Sequence, residues 1–239
     1  MARVHNLTSS IVEELGIAIV TGQYTPENPF PVEASLCQQF EASRSVLREA
    51  VKMLTAKGLL SARPRQGTRV EPVESWNLLD PDVLRWLLER KFSLDLLADF
   101  AEIRMAVEPM AAFFAAQRAD EAAITRIEEA LARMEAAEDG TDDPTQSDIA
   151  FHISILHASG NQFFVKFEDL VETALKFSIR LTNRFKGVQI GSVAEHGAVL
   201  TAIKAGDAEK ARAGMEKLVE ETLNLINEGK AEDKLRREQ

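Results

Sequence analysis

Asp148 and His152 stand four residues apart in a stretch that reads as helix. Side chains at that spacing share one helix face, so a carboxylate and an imidazole can converge on a single divalent cation such as Zn. Three other histidines are present. His5 sits near the N-terminus, and His157, five residues past His152, points about 140° away around the helix and is a poor partner. His196 falls in the first turn of a separate helix and could face the pair across a bundle. Spacing alone favours the plainer reading of unrelated histidines with ordinary hydrogen bonds, because such pairs recur by accident. If Asp148, His152 and His196 do meet on a metal with an open position, water activation becomes conceivable, and a metal-dependent hydrolase is one rival reading. No obvious general base accompanies the trio.

A second chemistry is carried by charge. Between Arg44 and Val70 there are seven Lys or Arg and one acid, Glu49, in a chain whose net charge is −10. A basic island in an acidic chain is the footprint of a DNA-reading module, because phosphate neutralisation depends on the face that meets DNA and not on the total. Residues 1–75 carry eight bases and eight acids, so the remainder supplies the whole negative charge. Two differently charged parts imply two jobs.

The elements around the island are legible. Thr8 or Ser9 can cap a helix with apolar positions Ile11, Leu15, Ile17, Ala18 and Ile19, closed by Gly22. The segment TPENPFP reads as extended, and a short helix spans 33–40. Ser43 suits the N-cap of a third helix with Val46, Leu47, Ala50, Val51 and Leu54 on one face, ending at Gly58. Residues 59–62 and 68–71 read as two strands joined by a turn at 63–67. Three helices and a two-stranded wing make a winged helix-turn-helix. A recognition helix enters the major groove N-terminus first, which places Arg44, Ser45 and Arg48 against bases and phosphates. Arginine can bond bidentately to guanine O6 and N7. Arg65 and Gln66 at the hairpin tip reach for phosphate or the minor groove, with Gly67 allowing close backbone approach and Thr68 beside it. Solvated surface arginines are the alternative for each residue taken singly. Glu49 is placed to orient a neighbouring base.

From Asp80 onward the pattern is helical with no convincing strand: a short helix to 89, a long one over 93–117 with Pro109 inside it, and another over 120–137. Pro144 then opens the helix of Asp148 and His152, a helix after Asn161 runs to 185, a capping box at Ser192 and Glu195 starts the next, and Asp207 caps the last, to 227. The expected division is 1–75 for the DNA-binding unit, 76–228 for an all-α unit, and a charged, frayed tail over 229–239.

Composition narrows the class. There is no apolar run of about 18 residues, so no transmembrane helix and no membrane partner are expected. Glu13 and Glu14 interrupt any signal-peptide core. Cys37 is the single cysteine, which fits a reducing cytoplasm.

These residues carry a resemblance. PVEASLCQQFEASRSVLREAVKMLTAKGLL followed by RPRQGTRV resembles the N-terminal domain of GntR-type bacterial transcription regulators, with Ala34 where many members have Arg or Lys. EIRMAVEPMAA, SDIAFHISILHASGN, AEHGAVLTAIKAGD and the spacing of Ala211 to Met215 resemble the helical effector domain, called FCD, of the FadR subgroup. The resemblance implies a ligand-responsive DNA-binding regulator, a repressor rather than an enzyme, working as a homodimer on near-palindromic double-stranded operator DNA. It also implies a divalent metal held by one Asp and three His, of which Asp148, His152 and His196 are present and Leu218 replaces the last. Binding by three ligands plus water or effector, weak binding, and loss of the metal are all compatible with that change. Arg104 lies on the stretch that lines the cavity in this family, where a buried guanidinium calls for an anion; a salt bridge to Glu102 or Glu108 is the alternative. Arg180 and Arg184 are further candidates. A metal beside an arginine suits a hydroxy- or sugar-acid, and WNLLDPDVLRWLLE is similar to the corresponding stretch of regulators that answer to galactonate-type sugar acids. A constitutive DNA-binding dimer with an inert helical domain is the second rival.

Overall fold

The computed structural model describes residues 7–25, 27–63, 67–90, 93–186 and 192–237. It resolves into two compact units that divide between residues 92 and 93. No helix among the described residues is long and apolar enough to cross a membrane.

The N-terminal unit contains α1 (Leu7–Val20), α2 (Glu33–Gln39), α3 (Arg44–Ala56), β1 (Leu60–Arg63), β2 (Gly67–Val70) and α4 (Pro81–Arg90). Ile11 and Leu15 of α1, Leu36 of α2, and Leu47, Ala50 and Leu54 of α3 are almost completely buried and form its core. Ser43 caps α3, its hydroxyl accepting from the Val46 amide at 3.4 Å. β1 and β2 pair antiparallel with Leu60 opposite Val70 and Arg63 opposite Gly67. This is the expected winged helix-turn-helix, its strands displaced by one residue from the reading of sequence alone. α1 begins at Leu7, ahead of its anticipated cap, so Thr8 and Ser9 lie inside the helix.

The boundary at 75 is corrected by α4, which belongs with the winged helix. Trp86 of α4 is fully buried. Lys57 Nζ donates to both oxygens of Asp80, at 2.7 and 2.8 Å, and to Asp82 at 2.8 Å, while Arg85 holds Glu13 through two bonds of 2.8 and 2.6 Å. Gly58 makes the approach possible. It adopts φ +76°, and a Cβ there would fall 2.2 Å from the Ser75 carbonyl oxygen. An apolar seat and half-buried ion pairs therefore outweigh the change in charge that suggested a division at 75.

The second unit is helical throughout: α5 (Leu94–Arg118), α6 (Glu121–Glu138), α7 (Pro144–Ala158), α8 (Glu168–Lys186), α9 (Val193–Lys204) and α10 (Ala208–Arg237). Ser93, Asp120 and Ser192 cap α5, α6 and α9 with their side chains, and Asp143 caps α7 ahead of Pro144. α10 packs along α5 and against α9, while α6 packs on α7 and α9. α8 starts later than expected, at Glu168, because Asn161 closes a turn onto the Phe163 amide at 2.9 Å and a 3-10 turn covers Phe164–Phe167. The tail expected to fray is instead helix as far as Arg237. Its Lys, Ala, Glu, Leu and Arg are strong helix formers with no proline among them, and Lys230 pairs with Asp95 of α5 at 2.6 Å.

Candidate nucleic-acid interface and metal centre

The recognition helix α3 buries Leu47, Ala50 and Leu54, which turns Arg44, Ser45 and Arg48 outward. The side chains of Arg44 and Arg48 are 77% and 65% exposed. Arg48 Nε donates to Glu33 Oε2 at 3.1 Å, and Arg44 Nε lies 4.0 Å from the other oxygen of the same carboxylate. Glu33, at the start of α2, thus tethers Arg48 and lies beside Arg44, a contact the sequence reading did not assign. Its place fifteen residues before Arg48 gives no periodic signal. Ser45 Oγ bonds Ser43 Oγ at 2.9 Å. Glu49 pairs with Lys52 at 3.5 Å on the exposed face of α3. In the wing, Gly67 is exposed at φ +77° and Thr68 is half-buried opposite Ala62. Arg65 and Gln66 lie outside the described residues. Ala34 is exposed on α2.

The second unit brings the other trio together. Asp148 and His152 of α7 and His196 of α9 are buried, and their donor atoms all lie within 4.8 Å of one another. Asp148 Oδ1 is 3.1 Å from His196 Nε2 and 3.5 Å from His152 Nε2. The outer nitrogens show which inner atoms carry lone pairs. His196 Nδ1 lies 2.8 Å from the Ser192 carbonyl oxygen, which can only accept, so Nδ1 carries a proton and, in the neutral ring, Nε2 presents its lone pair inward. Asp148 Oδ1 and His196 Nε2 are both buried without a hydrogen-bond partner. Two electron-rich atoms facing each other in a buried interior are unfavourable unless a cation or a shared proton lies between them. The donor set of one carboxylate and two imidazoles fits a divalent transition metal. His157, excluded by its angle, is exposed and pairs with Glu168 at 3.0 Å.

Glu108 completes the cluster, and the sequence reading considered it only as a salt-bridge partner for Arg104. Arg104 Nε donates to Glu108 Oε1 at 2.5 Å and Nη2 to Oε2 at 3.3 Å. Glu108 Oε2 is in turn 2.5 Å from His152 Nδ1. Arg104, Glu108 and His152 are each at most 3% exposed. Arg104 therefore forms the salt bridge offered as its alternative, yet its Nη1 is buried with no partner. The Arg180 side chain lies outside the described residues.

The electrostatics follow from burial and pairing. Burial pushes the Glu108 carboxyl up, but the charges of Arg104 and His152 overcome it and hold the group at about 2. Burial likewise pushes Asp148 up, and His152 and His196 hold it well below the usual carboxylate range. His152 is pushed down by burial and then up to about 9 by Glu108 and Asp148. Without a metal this imidazole carries a proton, for which an incoming dication must compete.

A winged helix-turn-helix with an arginine-bearing recognition helix, joined to a helical unit with a buried cluster of ionisable side chains, defines a DNA-binding regulator with a sensor. Comparisons with known proteins agree. Residues 7–70 match the profile described as bacterial regulatory proteins, gntR family, and residues 99–221 match the FCD domain. The chain is 39% identical to the galactonate operon transcriptional repressor of Escherichia coli K12 over 156 residues, 65% of this chain and 68% of that one. It is 28% identical to the transcriptional regulator LutR of Bacillus subtilis 168 over 202 residues, 82% of this chain and 90% of that one. The solved structure of Lar, which controls expression of the Listeria monocytogenes agr system, shares the fold at a TM-score of 0.54 and 19% identity, over 95% of this chain and 99% of that one. The chain belongs to the GntR family and carries an FCD domain as its second unit. It is a ligand-responsive DNA-binding regulator of transcription and not an enzyme, so the hydrolase reading lapses. FCD domains commonly bind metal.

Proposed function

We propose that this chain is a repressor whose helical unit binds a small carboxylate, of the hydroxy-acid or sugar-acid class, together with a divalent metal, and that binding releases operator DNA. The observation that carries the reading is a set of buried atoms of the second unit without hydrogen-bond partners: Asp148 Oδ1 and His196 Nε2, and Arg104 Nη1. The first two call for a cation and the third for an anion. When bound, the metal supplies a site for the carboxylate and hydroxyl oxygens of such an acid. The chain's own residues do the rest. Asp148, His152 and His196 hold the ion, and Arg104 offers a guanidinium edge that a carboxylate can satisfy.

At the DNA, Arg44, Ser45 and Arg48 read the major groove, while Arg65, Gln66, Gly67 and Thr68 contact phosphate or the minor groove from the wing. A homodimer places two such units on the half-sites of a near-palindrome. The effector acts by binding the two states of the regulator unequally, since only differential affinity can shift an equilibrium. The similarity to the galactonate repressor supports sugar acids as the first class to screen. The test is a thermal-shift screen of small organic and sugar acids with and without added divalent metal, followed by operator binding with each hit. A hit that raises the melting temperature and weakens operator binding supports the reading. A screen in which no acid changes either quantity favours a constitutive DNA-binding dimer instead.

A further inference from the structure

The two histidines of the cluster are held from behind in different ways. His196 Nδ1 leans on the Ser192 carbonyl at 2.8 Å, a neutral main-chain acceptor one turn back at the start of its own helix. That support is fixed by the residue that caps α9. His152 Nδ1 leans on the Glu108 side chain at 2.5 Å. The oxygen involved, Oε2, is the same atom that accepts from Arg104 Nη2 at 3.3 Å. One oxygen thus serves both an imidazole that faces the cation site and the guanidinium whose remaining edge, Nη1, has no partner.

From this shared oxygen we infer that Glu108 is a positioning residue: it fixes His152 with its Nε2 lone pair toward Asp148, and it links what Arg104 holds to the donor strength of His152. The inference rests on the metal reading above and adds a regulatory connection to it. A carboxylate behind an imidazole sets its tautomer, limits its ring orientation and raises its basicity as a ligand. Here that carboxylate is shared. An anion that engages Arg104 Nη1 draws guanidinium charge away from Glu108, leaves more negative charge on Oε2 and makes His152 the stronger donor. By linkage, an ion on His152 then favours the anion at Arg104 to the same degree. The geometry carries this without any movement of the helices. The cluster is buried, which keeps such electrostatic effects weakly screened.

The test is a cobalt(II) titration of the full-length protein, followed by heat and by the visible d–d absorption, which reports the ligand field at the ion. Glu108→Gln should weaken cobalt binding about 10- to 100-fold, the usual range for losing an outer carboxylate, and should shift the absorption bands of the complex that still forms. A residue that only supports the fold would leave those bands where they are. Glu108→Gln strands the Arg104 charge, so the double change Arg104→Leu with Glu108→Gln removes both charges and decides the matter if the single variant does not fold. Cobalt binding within about twofold of wild type, with unshifted bands, in either folded variant overturns the role of Glu108 while leaving the metal centre standing. Failure of wild-type protein to take up cobalt overturns the metal centre, and the role of Glu108 with it.

Discussion

The Trp86 indole occupies the space that a side chain at Gly16 would need: a Cβ built on Gly16 falls 2.3 Å from Cζ3 and 2.4 Å from Cη2 of the ring. α4 is thereby pressed onto α1 with no intervening atom. Gly16→Ala has two opposed effects. Alanine improves helix propensity by about 1 kcal/mol, whereas forcing atoms into a packed seat costs about 1–3 kcal/mol. At 2.3 Å the clash prevails. The variant should melt at a lower temperature than wild type; a melting temperature equal or higher would show that α4 shifts without cost.

Arg44 and Arg48 make a separable prediction about DNA. If each reads a guanine, alanine at either position should cost about 1–3 kcal/mol of specific affinity and leave non-specific binding largely intact. Their shared carboxylate adds a control. Glu33→Gln removes the Arg48 tether but no reading group, and an exposed pair of this kind contributes about 1 kcal/mol or less. Anisotropy titrations with an operator duplex should therefore rank the losses with Glu33→Gln smallest. The reverse order would mean that Glu33 organises the interface more than the arginines read it.

Much of this architecture was legible because local signals agreed with tertiary ones. Ser43, Ser93, Asp120 and Ser192 sit before apolar periodic runs, and each is a cap in the structure. The joining of Asp148, His152 and His196 rested on resemblance, since spacing could bring only the first two together. What escaped was non-local. Glu108 stands 44 residues from His152, and nothing in its neighbourhood distinguishes it from the other acids of α5. The placement of α4 escaped for the same reason, because Glu13 and Arg85 are 72 residues apart. The helical tail escapes differently: high charge suggests fraying, although its residue types favour helix.

Acid should weaken the N-terminal unit through the pairs around α4. Arg85 holds the Glu13 carboxyl below its ordinary value of 4.5. Asp82 is pushed up by burial but held below 3.8 by Lys57 and Arg85. A carboxylate whose folded pKa is depressed binds fewer protons folded than unfolded at acid pH, so its contribution is complete above the unfolded value and disappears as pH falls through the folded one. The loss should begin near pH 4.5 and grow below it. Arg85→Ala should remove part of this acid dependence, by about 1 kcal/mol or less for such half-exposed pairs. Urea midpoints at pH 6 and pH 4 for wild type and variant give the comparison, and parallel shifts would assign the acid sensitivity elsewhere.

Removal of the metal donor gives the most direct test of the second unit. Asp148 is the one carboxylate of the trio, its Oδ1 3.1 Å from His196 Nε2 and 3.5 Å from His152 Nε2. Asp148→Ala should therefore abolish bound metal while operator affinity in metal-free buffer stays within about twofold, because the reading residues lie in the other unit. The same logic applies to chelation. At a metal concentration about 100-fold above its Kd, occupancy stabilises the folded state by about 2.7 kcal/mol, so stripping the ion should lower the melting temperature of wild type and leave Asp148→Ala unchanged. Leu218→His bears on the position where the family resemblance places a further histidine. It should tighten cobalt binding and move its absorption bands toward those of a more strongly ligated ion. Metal content that survives Asp148→Ala would remove the carboxylate from the site, whatever Leu218→His does.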